Sequence, residues 1–269
     1  MQENKISNVT IGTDPEFFIF SEETGKFVPV CGLVGGTKDA PIPITDKGHA
    51  IQEDNVMVEY CIPPASNVEA FIEDINFVKN YIKDTILTPK GLVPKYIGSA
   101  IFDFDALQTE QAQEFGCSPD YNAWTYGENK VSRDNMLLRT AGGHIHVGYD
   151  NPNADVSIDL VRAMDLFLGV PSIILDTDDQ RRIMYGKAGA YRLKKYGVEY
   201  RVLSAFFQEN DVLIKWVFEQ TLKAIEFVNN GGIITNEDEI IACINNSNKE
   251  LAYEILDDYN IEILQLEVN

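Results

Sequence analysis

At 269 residues, with 45% hydrophobic and 24% charged side chains, the chain has the composition of a soluble globular protein able to bury a sizeable core. A net charge of −20, from 42 acidic and 22 basic residues, argues against nucleic acid as a general partner. The longest apolar run, Leu166 to Leu175, is interrupted by Pro171 and falls well short of the roughly 20 residues of a membrane span.

The first residues lack the apolar stretch of a signal peptide, and a cytoplasmic location is expected. Cys31, Cys61, Cys117 and Cys243 form no C-x-x-C pair and read as free thiols. Residues 9–20, rich in β-branched and aromatic side chains, read as a strand, with a turn at 22–26 and a return strand at 27–33. A Gly/Pro-punctuated loop follows at 32–43, carrying Lys38 and Asp39. Its Gly-Gly-Thr-Lys lacks the spacing of a phosphate-binding loop. Ile51 to Cys61 is a second strand candidate. Ser66, with Glu69 three residues on, opens a helix whose stripe is Val68, Phe71, Ile72, Ile75, Val78 and Ile82. Further on, a strand is expected at 96–102, a short helix at 106–114, and a structural turn at Gly116–Asn122 with Cys117 buried. Residues 154–169 and 210–230 read as helices, and two short helices start at Asn236 and Ser247. Strands and helices that alternate without regular βαβ spacing predict an α+β fold, mainly antiparallel, in one domain.

Four strand-like stretches carry polar residues on one face and apolar residues on the other. In Gly142-Gly-His-Ile-His-Val-Gly148, His144 and His146 share a face. An isolated pair of this kind fits polar packing as readily as metal binding. Asp14 and Glu16 share a face in the first strand, Asn55, Met57 and Glu59 in the second, and Glu199 and Arg201 in Val198–Val202. Asp54 has the wrong parity to join Glu59 unless the strand is bulged there. If these faces coincide, carboxylates crowd one surface, and their repulsion calls for a cation. Oxygen ligands with one imidazole favour Mg²⁺ or Mn²⁺ over zinc. From Arg181 to Arg201 run seven basic residues (Arg181, Arg182, Lys187, Arg192, Lys194, Lys195 and Arg201) and one acid, Glu199. In so acidic a chain this stretch suggests a surface loop or a site for nucleotide phosphates.

The segments GTDPEFF, GGTKDAP, QEDNVMVEY, GCSPDYNA, GGHIHVGY and YRLKKYGVEYR, in this order between about residues 10 and 207, resemble the phage phiEco32-like COOH–NH2 ligases of type 2. That family falls in the glutamine synthetase/glutamate–cysteine ligase superfamily. The resemblance implies a glutamine synthetase-like catalytic domain, a mainly antiparallel sheet with helices on one face, over residues 1–269, with 210–269 a helical C-terminal part. It implies an ATP- and Mg²⁺- or Mn²⁺-dependent ligase that joins a small-molecule or peptide carboxylate to an amine through an acyl phosphate, in the host cytoplasm if phage-encoded. By the family pattern Asp14, Glu16, Glu59, His144 and Glu199 would hold metal. Lys187, Arg181, Arg182, Arg192, Arg201 and His146 would face ATP. Arg201, Glu59 and His146 would act on the reacting groups, and Lys38, Asp39 and Asn55 would touch substrate. Asp14 stands where the family has glutamate, one methylene shorter in reach. The chain is also short for the superfamily, so a homo-oligomer or a missing lid would change how substrates are enclosed. Two other enzyme readings stay open: a metallohydrolase built on His144, His146 and carboxylates, and a phosphotransferase on the same fold. A non-catalytic binding protein on a retained fold is the third.

Overall fold

The computed structural model describes residues 5–113, 120–129 and 135–265. Its first strands are β1 (Thr10–Thr13), β2 (Glu16–Ser21), β3 (Lys26–Val28), β4 (Ile42–Pro43), β5 (Ala50–Asp54) and β6 (Met57–Cys61). After helix α1 (Val68–Ile82) come β7 (Leu92–Lys95), β8 (Ser99–Ile101), the one-turn α2 (Glu110–Gln113), β9 (Tyr121–Asn122), β10 (Leu138–Thr140) and β11 (Ile145–Gly148). Helices α3 (Ala154–Met164), α4 (Val170–Leu175) and α5 (Arg181–Met184) lead to β12 (Ala190–Lys194) and β13 (Gly197–Tyr200). Three helices close the chain: α6 (Asp211–Asn229), α7 (Glu237–Asn245) and α8 (Lys249–Asp258).

The strands form an α+β arrangement of antiparallel sheets. One sheet runs β1-β11-β13-β12-β9; a second runs β3-β2-β6-β5-β4, with β7 also on β2; β8 and β10 make a small third. The single strand expected over residues 9–20 is therefore two strands in two different sheets. The break falls at Asp14-Pro15, and proline cannot donate to a ladder. Residues 51–61 are likewise a hairpin, turning at Asn55 (φ 56°). The strand expected at 96–102 shortens to β8, and β7 lies ahead of the expected range. The return strand at 27–33 shrinks to Lys26–Val28.

The helices lie against one side. Helix α3 packs on β12 and β13, and α6 packs on both α1 and α3. Phe71, Ile75, Val78 and Ile82 of α1 are buried, as the stripe predicts, but its N-cap is Asn67, whose side chain accepts the Ala70 N–H, rather than Ser66. The helix expected at 154–169 continues through a π-helical turn at Asp165–Gly169 into α4, where Pro171 has no N–H to give the preceding turn. Phe17, Val58, Ile145, Val147, Val198 and Tyr200 from both large sheets share one apolar core with these helices. The apolar side chains of the strands are thus committed to the core, and the alternate, polar ones face away from it.

The Gly-Gly pair before β11 fixes how closely the chain passes the segment after β13. Gly143 N–H donates to Leu203 O at 3.0 Å, and a Cβ at Gly143 would stand 2.3 Å from Ser204 O and 2.4 Å from the Phe207 ring. Gly143→Ala should therefore destabilise the protein by about 1–3 kcal/mol through overpacking, read as a lower urea midpoint at unchanged m-value. An unshifted midpoint would contradict this packing.

Candidate functional site

The polar face of the first sheet follows from register. Gly12 pairs with His146, His146 with Glu199, and Glu199 with Arg192, so these three side chains point the same way. Arg201 lies two residues beyond Glu199 and joins them. Asp14, just past β1, places Oδ1 2.9 Å from His146 Nε2 and 3.2 Å from His144 Nδ1. Neither contact has hydrogen-bond geometry, which leaves Asp14 Oδ1 and His146 Nε2 as buried ligand-type atoms facing each other. Glu199 is ringed by cations: Lys194 Nζ at 2.6 Å, Arg192 at 3.7 Å, and Arg201 in direct contact. His144 Nδ1 lies 3.8 Å from Glu199 and 3.2 Å from Arg201 Nη1.

The second sheet faces this group with carboxylates. Glu16 pairs in register with Glu59, Glu59 with Gln52, and Gln52 is two residues from Asp54, so all four share a face. The hairpin removes the parity problem at Asp54, and no bulge is needed. Glu16 is buried and accepts the Gly142 N–H at 2.6 Å; Glu59 accepts from Gln52 at 2.8 Å. Ligand atoms of Glu16, Asp54 and Glu59 lie within 4.8 Å of one another, and so do those of Asp14, His146 and Glu199. The acids expected on one strand, Asp14 and Glu16, therefore each enter a different group.

The two groups differ electrically. Burial, then the neighbouring Asp54, pushes Glu16 up to about 8. Burial and then Asp14, Glu16 and Asp54 hold Glu59 well above the carboxylate range. Burial opposes ionisation of Glu199 too, but Arg201 and then His144 bring it down to about 2. Burial, then Arg201, lowers His144 and keeps its ring neutral at pH 7. Burial also opposes charging of His146, yet Asp14 raises it above an ordinary histidine.

Two clefts flank these groups. One is lined by Glu16, Asp54, Asn55, Asp120, Arg139, His144, Arg181 and Arg201. The other, mostly apolar, is lined by Gly12, Asp14, Ile62, Pro64, His146 and Tyr196. Asn55 is held at the first by bonds to Gln111 and Arg139. Adjacent helical residues diverge, so Arg181 reaches the first cleft while donating to the carbonyls of Val202 and Arg201. Arg182 turns instead to Ser172 Oγ and the Asp178 carbonyl, buried away from both clefts, which corrects its expected place on ATP. Lys187 lines neither cleft. Lys38 and Asp39, expected at substrate, stand exposed on the Thr37–Ala40 turn and also line neither.

Asp120 is the residue the sequence reading missed. It was expected only to turn the chain, but its Oδ1 lies 2.6 Å from Arg201 Nε and 3.4 Å from Arg192. Cys117 lies outside the described residues. Arg139 was passed over although it opens the stretch before His144; it anchors Asn55 and donates to Ala112 O. Tyr196, in the turn between β12 and β13, hydrogen-bonds His146 Nδ1.

No curated protein matches the sequence. Among solved structures, a bifunctional glutathione synthetase from Pasteurella multocida is similar at 11% identity and a TM-score of 0.42, over 94% of this chain and 49% of that one. The chain thus spans about half the length of that synthetase. Residues 132–254, which hold His144, His146, Glu199 and Arg201, match the family model described as Phage phiEco32-like COOH.NH2 ligase-type 2.

Proposed function

We propose that the protein is an ATP- and Mg²⁺-dependent amidoligase with a glutamine synthetase-like catalytic domain over residues 1–269, the helical part 210–269 included. The observation that carries this reading is the meeting of two carboxylate-rich groups at the seam of two sheets, with Arg192, Lys194 and Arg201 beside one of them. Crowded buried carboxylates are costly without a cation, and oxygen donors suit Mg²⁺. In the reaction a substrate carboxylate oxygen attacks the γ-phosphorus of ATP, and the bond to the ADP oxygen breaks. The amine nitrogen then attacks the acyl carbon, phosphate departs, and the amine loses a proton. Phosphoryl transfer of this kind depends on positioning and charge neutralisation, which Arg201, Arg192 and Lys194 are placed to supply.

The cations would be held by Glu16, Asp54 and Glu59 on one side, and by Asp14, Glu199 and an imidazole on the other; bound there, they would neutralise phosphate charge. His146 lies nearer to Asp14, but His144 is the better ligand, because its ring is neutral and its Nδ1 faces both Asp14 and Glu199. His146, on the wall of the apolar cleft, is assigned to ATP, and the cleft of Glu16, Asp54 and Asn55 to the carboxylate and amine. Arg181 stays at that cleft as support for Arg201.

Screening carboxylate–amine pairs for ADP release, with product mass as confirmation, tests the reading. Arg201→Ala and Glu16→Ala should each lower turnover by at least ~10³-fold, the scale of losing a main electrostatic contact. A fully active Arg201→Ala protein would sink it, and ADP release without amine would turn it toward a phosphotransferase. His144→Ala should raise the Mg²⁺ concentration needed for half activity, whereas His146→Ala should raise the KM for ATP; the reverse pattern overturns the division between them.

A pH dependence follows from Glu16. Its folded-state pKa, about 8, lies above the ordinary 4.5, so the folded protein binds this proton more tightly than the unfolded chain does. The resulting stability is full below about pH 4.5 and is lost as pH climbs toward 8. Metal-free protein should melt lower at pH 8 than at pH 6. Mg²⁺ competes with the proton, so it should raise the Tm more at pH 8 than at pH 6, and Glu16→Gln should flatten both effects. Thermal melts with and without Mg²⁺ decide this.

A further inference from the structure

Asp165 is fully buried, forms no ion pair among the described residues, and touches no part of either cleft. A buried carboxylate without a cation beside it costs several kcal/mol unless its oxygens are well hydrogen-bonded. Here they are. Oδ2 accepts the Trp124 indole N–H at 2.7 Å and the Gly189 backbone N–H at 2.6 Å, and Oδ1 accepts the Tyr200 hydroxyl at 2.8 Å.

The three donors come from the three segments that bring charge to the polar face of the first sheet. Trp124 stands four residues after Asp120. Gly189 leads into β12, which bears Arg192 and Lys194. Tyr200 sits between Glu199 and Arg201, whose side chains leave the opposite face of the strand, so a displacement of the backbone at Tyr200 carries both neighbours with it. The backbone is shaped to let these groups meet. Gly189 adopts φ +71° with space for a Cβ only 2.6 Å from the Trp124 ring. A Cβ at Gly169 would lie 2.8 Å from the Tyr200 hydroxyl. Asp165 itself opens the π-helical turn, a distortion often found next to functional sites.

We propose that Asp165 is a positioning residue: through Tyr200, Gly189 and Trp124 it sets the placement of Glu199, Arg201, Arg192 and Asp120 from behind the sheet. This rests on the ligase reading of that face. Asp165→Asn suits the test, because its oxygen can still accept from Trp124 and Gly189 while its NH2 donates to a reversed Tyr200 hydroxyl. Tyr200→Phe removes the Oδ1 bond alone. The control is Thr221→Val in α6, which removes a buried hydrogen bond to Val217 O far from both clefts.

Three readouts on the full chain separate the outcomes. Asp165→Asn, which keeps the three contacts, should hold kcat near the wild-type value, whereas Asp165→Leu and Tyr200→Phe should lower it by about ten-fold with little change in the KM for ATP, the mark of a group acting in the transition state. Both should weaken Mn²⁺ binding, followed by electron paramagnetic resonance, while Thr221→Val lowers the Tm alone. The indole N–H resonance of Trp124, one of two tryptophans, should keep its position in Asp165→Asn and move upfield in Asp165→Leu. If Asp165→Leu and Tyr200→Phe behave like Thr221→Val, with a lower Tm and unchanged kcat and Mn²⁺ affinity, Asp165 is only a stabilising residue and the proposal fails. A wild-type protein that neither turns over nor binds Mn²⁺ refutes instead the ligase reading on which the proposal rests.

Discussion

Mutual repulsion among carboxylates is the constraint around which this molecule is built. Asp14, Glu16, Asp54, Glu59 and Glu199 converge where two antiparallel sheets meet, and Glu16 and Glu199 are buried. Such a cluster can persist only if protons, arginines or cations balance it. Near Glu199 the balance comes from Lys194, Arg192 and Arg201. Near Glu16 and Glu59 no basic side chain forms an ion pair among the described residues, and burial drives protons onto the carboxylates instead. The difference gives the two groups distinct characters on one surface: one already neutralised by the protein, the other awaiting a positive charge.

Everything else supports that surface. The apolar alternate residues of the same strands are spent on the core, where Phe17, Val58, Ile145, Val147 and Val198 pack against α1, α3 and α6. Apart from Arg181 of α5, which reaches the first cleft, the helices hold the polar face from behind. This division of labour lets a sheet be rigid and highly charged at once, because the energy lost by crowding charge on one face is offset by burial on the other.

Much of this was legible from residue order, and the illegible parts share a cause. Alternation correctly put Glu199 with Arg201 and gave Ile145, Val147 and Val198 to the core. It failed at Asp14-Pro15-Glu16, because one apolar run served two sheets and only the proline hinted at the break. It failed again at residues 51–61, where a two-residue turn at Asn55 folds back what reads as one strand, and this is why Asp54 seemed to have the wrong parity. The arginines show a third limit. Arg181 and Arg182 are neighbours in sequence, yet one reaches the cleft and the other anchors α5 to Ser172. A helix sends adjacent side chains apart, and the reading had not resolved so short a helix. Asp120 was missed because its partners, Arg192 and Arg201, lie more than seventy residues away, and no local pattern marks an ion pair of that range. Lys38 and Asp39 stand on an exposed turn that lines neither cleft, because a Gly/Pro-rich loop places its side chains by tertiary contacts that its own sequence does not describe.

The crossing at Pro15 has one more consequence. Because Asp14 and Glu16 are separated by a single residue yet serve different sheets, the two acidic groups are joined by covalent bonds as well as by packing. Two residues of chain span at most about 7 Å, however the sheets slide or breathe. The polypeptide therefore acts as a ruler at this point, and the separation of the two groups is limited by bond lengths that no change in core packing can stretch.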